Sequence, residues 1–256
     1  MNLDEMINIK YNALNHSDRH IWKCINQDRG ACAKMTIEEL AARCSVSRTT
    51  ILRFAKKLGL EGYTELRYCL RRESLQGQDG EDGLIDLNGM LKNYMVMLGN
   101  LKDKCFDGAC ELIEAAGRIV VVSTGTAQYL AAQELARSFL KIGVVMTVVM
   151  GGTELVWLPG LLGQEDLVII ISVSGESPSG VSLARALKSR GIPILSITRQ
   201  TANSVSDLAD EAVYVYSEKV FAGKREYYES ITMFYTAAEI LFVKYYNYLQ
   251  NKKGDG

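Results

Sequence analysis

The 256-residue sequence holds six cysteines, Cys24, Cys32, Cys44, Cys69, Cys105 and Cys110, with no CxxC pair among them. It opens without the charged-then-apolar pattern of a secretory leader, so free thiols in a reducing cytoplasm are expected. Only two histidines occur, His16 and His20. No internal repeat of fixed period is found. A membrane span is missing too: the nearest stretch, Ile142 to Gln164, has 23 residues and only Glu154 charged, but five glycines and Pro159 interrupt it. These residues suit a strand, a turn and a short helix, not a lipid-embedded helix. There is also no excess of charge, with 29 basic against 30 acidic residues for a net of −1. Spread evenly, that balance would speak against a nucleic-acid partner.

What is present places the chain among ordinary soluble proteins. Hydrophobic residues make up 48% and charged residues 23%, which excludes disordered and fibrous classes. The length suits one large or two modest domains.

The charge is not spread evenly. A glycine- and acid-rich stretch, Glu73 to Gly89, has the composition of a flexible linker. Residues 1–76 hold 13 basic and 9 acidic side chains, a net of +4, and the remainder 16 basic and 21 acidic, a net of −5. Between Arg43 and Arg72 alone, eight basic residues face Glu61 and Glu65, a net of +6. A basic head thus precedes an acidic body. The predicted organisation is an all-helical domain over 1–76, a linker over 77–89 and an α/β domain over 90–256. In the body, apolar β-rich runs at 119–123, 144–149, 166–172, 192–198 and 212–216 alternate with helical segments. Runs apolar on both faces imply a doubly wound parallel sheet covered by helices on both sides. A last helix is predicted from about Tyr227 to Gln250.

In the head, Thr36 and Glu39 form a capping box that opens a helix through Arg43, with Ile37, Leu40 and Ala41 on one face. Cys44-Ser45-Val46 makes a short turn. Ser47 then caps a second helix, Arg48 to Leu58, whose inward residues are Ile51, Phe54 and Leu58. Two short helices joined by a tight turn form a helix-turn-helix, whose second helix enters a major groove. Arg48, Thr49, Thr50 and Arg53 offer the side chains that read base edges. Ser47, Lys56, Lys57 and Arg67 suit phosphate contacts. The alternative is an ordinary basic helix of a surface cap.

The string VSRTTILRFAKKLGLEGYTEL, Val46 to Leu66, resembles the helix-turn-helix of the RpiR-type transcriptional regulators, as does the opening segment around Leu14-Asn15-His16-Ser17. The resemblance spans most of residues 1–72 and implies binding to a double-stranded DNA operator. His16, His20 and Cys24 stand four residues apart on one helix. They are read as helix-start polarity, and no metal is expected.

In the body, Ser172-Val173-Ser174-Gly175-Glu176-Ser177 ends the third strand and Pro178 opens a helix, the position where its missing N–H is harmless. Hydroxyls and glycine amides meeting at a helix N-terminus, at the carboxyl end of a parallel strand, suit a phosphate. The alternative is that Ser and Gly only end a strand and cap a helix. Ser123-Thr124-Gly125-Thr126-Ala127 lies at the corresponding junction after the first strand and would form a facing wall. It is not a GxGxxG fingerprint, and the chain lacks GxxxxGK[ST], so nucleotide hydrolysis is unsupported.

ISVSGES followed by a helix, then GIPILSIT, Asn203-Ser204 and Leu208-Ala209-Asp210, is similar to the sugar isomerase (SIS) domain over about residues 105–245. The resemblance implies that Ser172, Ser174, Ser177 and the Gly175 amide hold a sugar phosphate, while Ser123, Thr124, Gly125, Thr126 and Ala127 line the sugar. Ser123 and Ala127 depart from the family's GxGxS loop at its first glycine and its serine; Thr126 supplies a hydroxyl nearby. Glu176 would accept a sugar hydroxyl or act as a base, or else serve as a first-turn acid. Glu226, Glu229 and Ser230 would reach a partner's pocket, or else the two acids are solvated first-turn residues. Ile231, Phe234, Tyr235, Ile240 and Leu241 pack the core or a dimer seam.

Together these features predict a cytoplasmic regulator that binds an operator as a homodimer or homotetramer and senses a phosphosugar effector. No cofactor, catalytic residue or membrane contact is expected. A phosphosugar aldose–ketose isomerase is the alternative, weakened because the body has no histidine to act as a base. An oligomerisation scaffold with a lost sugar pocket is the third reading.

Overall fold

The computed structural model describes residues 3–76, 87–201, 203–217, 219–221 and 227–254. Its contacts divide into two compact units, residues 1–100 with 218–229, and 101–217 with 230–256. The division falls within a helix, later than the 77–89 linker expected from composition.

The first unit contains α1 (Leu3–Lys10), α2 (His16–Gln27), α3 (Arg29–Cys32), α4 (Ile37–Arg43), α5 (Arg48–Lys57), α6 (Tyr63–Gln76) and most of α7 (Leu87–Asp103). Side-chain caps fix the helix starts. Asn15 and Asp18 form a capping box on α2, Asp28 caps α3, and Thr36 with Glu39 forms the expected box on α4. Trp22, Ile25, Leu40, Ile51, Phe54, Leu66 and Leu70 are buried between the helices. Arg29 joins α1 to α6 through Asp4 at 2.7 Å and Glu73 at 3.0 Å. The buried Asn8 ties α1 to α7: its side chain donates to Asn93 O at 3.2 Å, and Asn100 Nδ2 donates to Asn8 O at 2.9 Å.

Four of the six cysteines lie in this core, and only Cys105 is exposed in the chain as a whole. Burial pushes the Cys44 thiol up to about 12 and the Cys110 thiol to about 11, leaving little of the reactive thiolate at neutral pH. His20 Nε2 lies 3.0 Å from Cys44 O and 3.9 Å from Cys24 Sγ, so it donates to the backbone and links α2 to the turn after α4. One thiol per chain should react rapidly with an aromatic disulfide reagent in the native protein, and all six after denaturation. Rapid native reaction of three or more would contradict this packing.

The second unit is built on five parallel strands, β1 (Ile119–Ser123), β2 (Met146–Met150), β3 (Leu167–Ser172), β4 (Ile194–Arg199) and β5 (Glu211–Val215), in the order β2-β1-β3-β4-β5. β1 and β3 are buried along their whole length, and β4 along all but its last residue; side chains on both pleats of central parallel strands meet covering helices. α10 (Glu154–Leu161), α11 (Pro178–Ser189) and α12 (Ser204–Leu208) cover one face through Leu155, Leu158, Leu183, Leu187 and Val205 over Val120, Val168 and Ile170. On the other face α9 (Thr126–Leu140) packs on α13 (Thr232–Gly254), where Phe139 meets Phe242 at 5.7 Å and Tyr245 at 5.4 Å. α8 (Asp107–Ala115) also contacts α13.

The last helix starts five residues later than predicted. Residues 227–229 form β7, antiparallel to β6 (Lys219–Phe221), and this pairing withdraws them from the helix. Glu229 therefore lies on a strand and not in a helical first turn, and Glu226 falls outside the described residues. Phe234 and Leu241 are buried as expected, and Ile231, Tyr235 and Ile240 are half-buried.

Below β1, Arg118 holds the buried Asp166 by two bonds of 2.8 and 2.6 Å, and Gly163 N–H adds a third at 2.7 Å. The guanidinium keeps the Asp166 carboxyl below its usual range. A carboxylate depressed on folding stabilises above its unfolded pKa, about 3.9, and the contribution disappears as the pH falls through the lower folded value. Asp166→Asn should therefore lower stability against urea at pH 7 and match the wild type more closely below pH 3. A deficit that stays constant with pH would exclude this role for the charge.

Candidate functional site

The helix-turn-helix is assembled from local signals. α4 ends at Cys44, and Ser45 takes a left-handed conformation at φ 54° that turns the chain back. Val46 N–H then donates to Ala41 O at 2.9 Å. Ser47 Oγ accepts the Thr50 N–H at 3.2 Å and lies 2.8 Å from Thr50 Oγ1, so this cap starts α5 as predicted. Ile51, Phe54 and Leu58 point inward and are buried. Ser47, Arg48, Thr49, Arg53 and Lys56 are exposed and Thr50 is half-exposed. Helical spacing puts residues 48, 49, 52, 53 and 56 on one outward stripe.

The basic side chains differ in their commitments. Arg48 pairs with Glu38 at 2.9 Å, an exposed contact that DNA can displace at little cost. Lys57 reaches the buried Asp18 at 2.5 Å, which ties α5 to the start of α2. Arg67 lies over the Tyr63 ring, 5.9 Å from its centroid. Arg53 and Lys56 make no ion pair among the described residues.

In the second unit the strand order reverses at β1, with β2 on one side and β3 on the other. Ligands of doubly wound sheets occupy the crevice at such a reversal, beyond the carboxyl ends of the strands. Both predicted loops emerge there. Thr124 joins them: its N–H donates to Ile171 O at 3.2 Å and its hydroxyl to Ser172 Oγ at 3.0 Å.

The second loop is held from within. The buried Ser172 Oγ also accepts the Gly175 N–H at 3.2 Å, and Ser174 Oγ accepts the Glu176 N–H at 3.1 Å. Gly175 sits at φ 66° directly against Asn203, with no room for a Cβ. Asn203 is buried, donating to Thr198 Oγ1 at 2.9 Å and Thr201 O at 2.8 Å while its Oδ1 caps α12 through Ser206 N–H at 2.9 Å. Glu176 takes the Ser204 N–H at 3.0 Å and its hydroxyl at 2.7 Å. Its charge therefore sits at the first turn of α12, not of the helix it precedes.

Ser172 Oγ and Gly175 N–H are thus engaged inside the loop, while Ser174 is exposed and Ser177 half-exposed. Pro178 opens α11, and no side chain caps that helix; the Ser177 and Ser179 hydroxyls lie 3.1 Å apart. α9 likewise starts at Gly125 without a side-chain cap, next to the exposed Thr126. Two helix starts without side-chain caps, with exposed hydroxyls beside them at one crevice, can bind an anion. Ser123 is fully buried, its Oγ without a hydrogen-bond partner among the described residues and its carbonyl accepting Gly151 N–H at 2.8 Å. Gly180 gives Thr124 its space, since a Cβ there would lie 2.9 Å from Thr124 Cγ2. The sequence placed Thr124 in the sugar-lining stretch but not as the link between the two loops, and it did not single out Asn203 as a site residue. Asn203, three residues before Ser206, carries a capping signal.

Residues 1–77 match the helix-turn-helix domain of the rpiR family, and residues 111–244 match the SIS domain. The chain is 36% identical over 255 residues to the HTH-type transcriptional regulator GlvR of Bacillus subtilis, covering 100% of this chain and 99% of that protein. An uncharacterised HTH-type regulator of Clostridium perfringens is 25% identical over 86% of this chain and 83% of its own length. Among solved structures, the Vibrio vulnificus NanR protein complexed with ManNAc-6P aligns over 98% of this chain and 97% of that chain, with TM-score 0.54 and 18% identity. The sugar isomerase domain of an RpiR transcription factor from Sphaerobacter thermophilus covers 66% of this chain and 99% of that chain, with TM-score 0.54 and 19% identity. With its basic helix-turn-helix, its five-stranded parallel sheet and these full-length relatives, the chain belongs to the RpiR family of HTH-type transcriptional regulators, which couple that DNA-binding domain to an SIS domain.

Proposed function

We propose that this protein binds an operator through Ser47, Arg48, Thr49, Thr50, Arg53 and Lys56 on α5, and that a phosphorylated sugar in the β1/β3 crevice modulates that binding in the cytoplasm. Lys57 supports the same surface from its contact with Asp18. The observation that carries the reading is one chain holding both an exposed basic recognition helix and two uncapped helix starts at the reversal of a parallel sheet. The effector phosphate sits against the α11 first turn, where Ser174 and Ser177 supply hydroxyls, and Gly125 and Thr126 bound the sugar. NanR of V. vulnificus, similar in fold, carries ManNAc-6P in its structure. The regulator works as a homodimer or homotetramer, because two recognition helices on one duplex require two copies.

A regulator fits the side chains better than an isomerase. No histidine follows His20, and both oxygens of Glu176, the one acid of the loop from Ser172 to Ser177, accept from Ser204, which does not favour a proton-transferring base in that loop.

The test is a thermal-shift panel of phosphosugars, with each dephosphorylated sugar as its pair. The cognate compound at a hundred times its Kd should raise Tm by about 5 °C or more, and the sugar without phosphate should give no shift. A panel with no phosphate-dependent shift rejects the effector reading and favours a scaffold with a lost pocket.

A further inference from the structure

The outward stripe of α5 is not wholly polar. Arg48, Thr49, Arg53 and Lys56 are exposed on it, and Leu52 stands among them at 38% exposure. Among the described residues of the helix-turn-helix, Ile37 to Leu58, no other large apolar side chain is exposed. The remaining apolar residues of α5, Ile51, Phe54 and Ala55, are buried, so the inward face of the helix does not account for Leu52. Helical spacing sets Arg48 four residues before it and Lys56 four after it on the same side. Leu52 is also braced. The start of α6 passes beside it, and a Cβ on Gly62 would lie 3.9 Å from Leu52 Cδ2, an ordinary van der Waals distance. One terminal methyl of the leucine thus rests near the next helix while the side chain stays open on the outward face.

We propose that Leu52 reads thymine in the operator by packing against its C5-methyl group in the major groove. The inference rests on the operator reading above and adds to it a contact made without hydrogen bonds. A leucine has no attraction for phosphate and pairs with no donor or acceptor, whereas the thymine methyl is an apolar group on the major-groove edge. Helical side chains lean toward the helix N-terminus. Leu52 therefore covers the surface over Arg48 and Thr49, in the part of a recognition helix that meets base edges. Its contact near Gly62 leaves less rotamer freedom to lose on binding. The same side chain disfavours other bases. Opposite the amino group of adenine or cytosine it would take a donor from water and offer no acceptor in return.

The probe is a duplex selected from a randomised library with the full chain, in which each thymine is replaced in turn by deoxyuridine, so that only the methyl is removed. In the wild type, at least one replacement in each half-site should weaken binding about fourfold, the weight of one buried methyl. In Leu52→Ala the same replacement should have no effect, and Leu52→Met, which keeps an apolar tip, should restore the sensitivity. Each ratio compares two duplexes on one protein, so a general loss of stability or affinity in a variant cancels. A Leu52→Ala protein that keeps the full methyl effect overturns the proposal, as does a wild type indifferent to every thymine methyl or a selected site without thymine. In those cases binding that still depends on Arg53 leaves the operator reading standing. A library from which no duplex is enriched overturns both.

Discussion

Gly175→Ala is expected to lower stability by about 3 kcal/mol and to abolish phosphosugar-dependent stabilisation, while leaving operator binding by the head in place. Two effects add. The left-handed φ of 66° costs a residue with a Cβ about 1–2 kcal/mol. The new methyl would also run into Asn203, and overpacking of a tight site costs about 1–3 kcal/mol. Asn203 cannot yield, because its three side-chain bonds hold Thr198, Thr201 and Ser206 together. Relief therefore comes from the loop, which moves Ser174 and Glu176 away from the α11 first turn. The measurement pairs urea unfolding with the thermal-shift panel. A Gly175→Ala protein that keeps both its stability and its effector shift would show that this loop is neither rigid nor the phosphate site.

Arg53→Ala should reduce affinity for the cognate operator about ten- to hundredfold, the range for losing a good guanidinium contact to a base edge, without changing Tm. Arg53 is exposed on the outward stripe of α5 and makes no ion pair among the described residues. Its removal therefore takes nothing from the fold. Lys57→Ala provides the contrast. Asp18 is buried and pairs with Lys57, so that variant should lose stability as well as affinity. Titrations at several salt concentrations separate the roles. A base-reading Arg53 changes discrimination between operator and random DNA, whereas a phosphate contact weakens both alike and flattens the salt dependence. Unchanged operator affinity in Arg53→Ala would remove α5 from the interface.

Much of this was legible because short-range patterns carry it. The runs at 119–123 and 166–172 became β1 and β3 almost residue for residue, since central parallel strands must be apolar on both faces. The run at 144–149 shifted to Met146–Met150, because an edge strand is defined by one neighbour and its ends follow that pairing. The Thr36 and Ser47 caps held because their partners lie three residues away. The start of the last helix was misplaced for the converse reason, since Tyr227–Glu229 answers to Lys219–Phe221 and not to its own period.

The near-zero net charge, resolved along the chain, already separated a basic head from an acidic body, and the capping and strand patterns already named both loops. Local patterns set the capped helices, the central strands and the places where hydroxyls and glycines collect, because those properties depend on neighbours within one turn or one strand. How these elements are used, and that Tyr227–Glu229 forms a strand, follows from contacts distant in the chain. Glu176 meets Ser204 across 28 residues and Lys57 meets Asp18 across 39. The strand order that brings the loops after β1 and β3 to one crevice arises from pairing between distant segments. No local period encodes such pairing, because its energy appears only when the chain has closed.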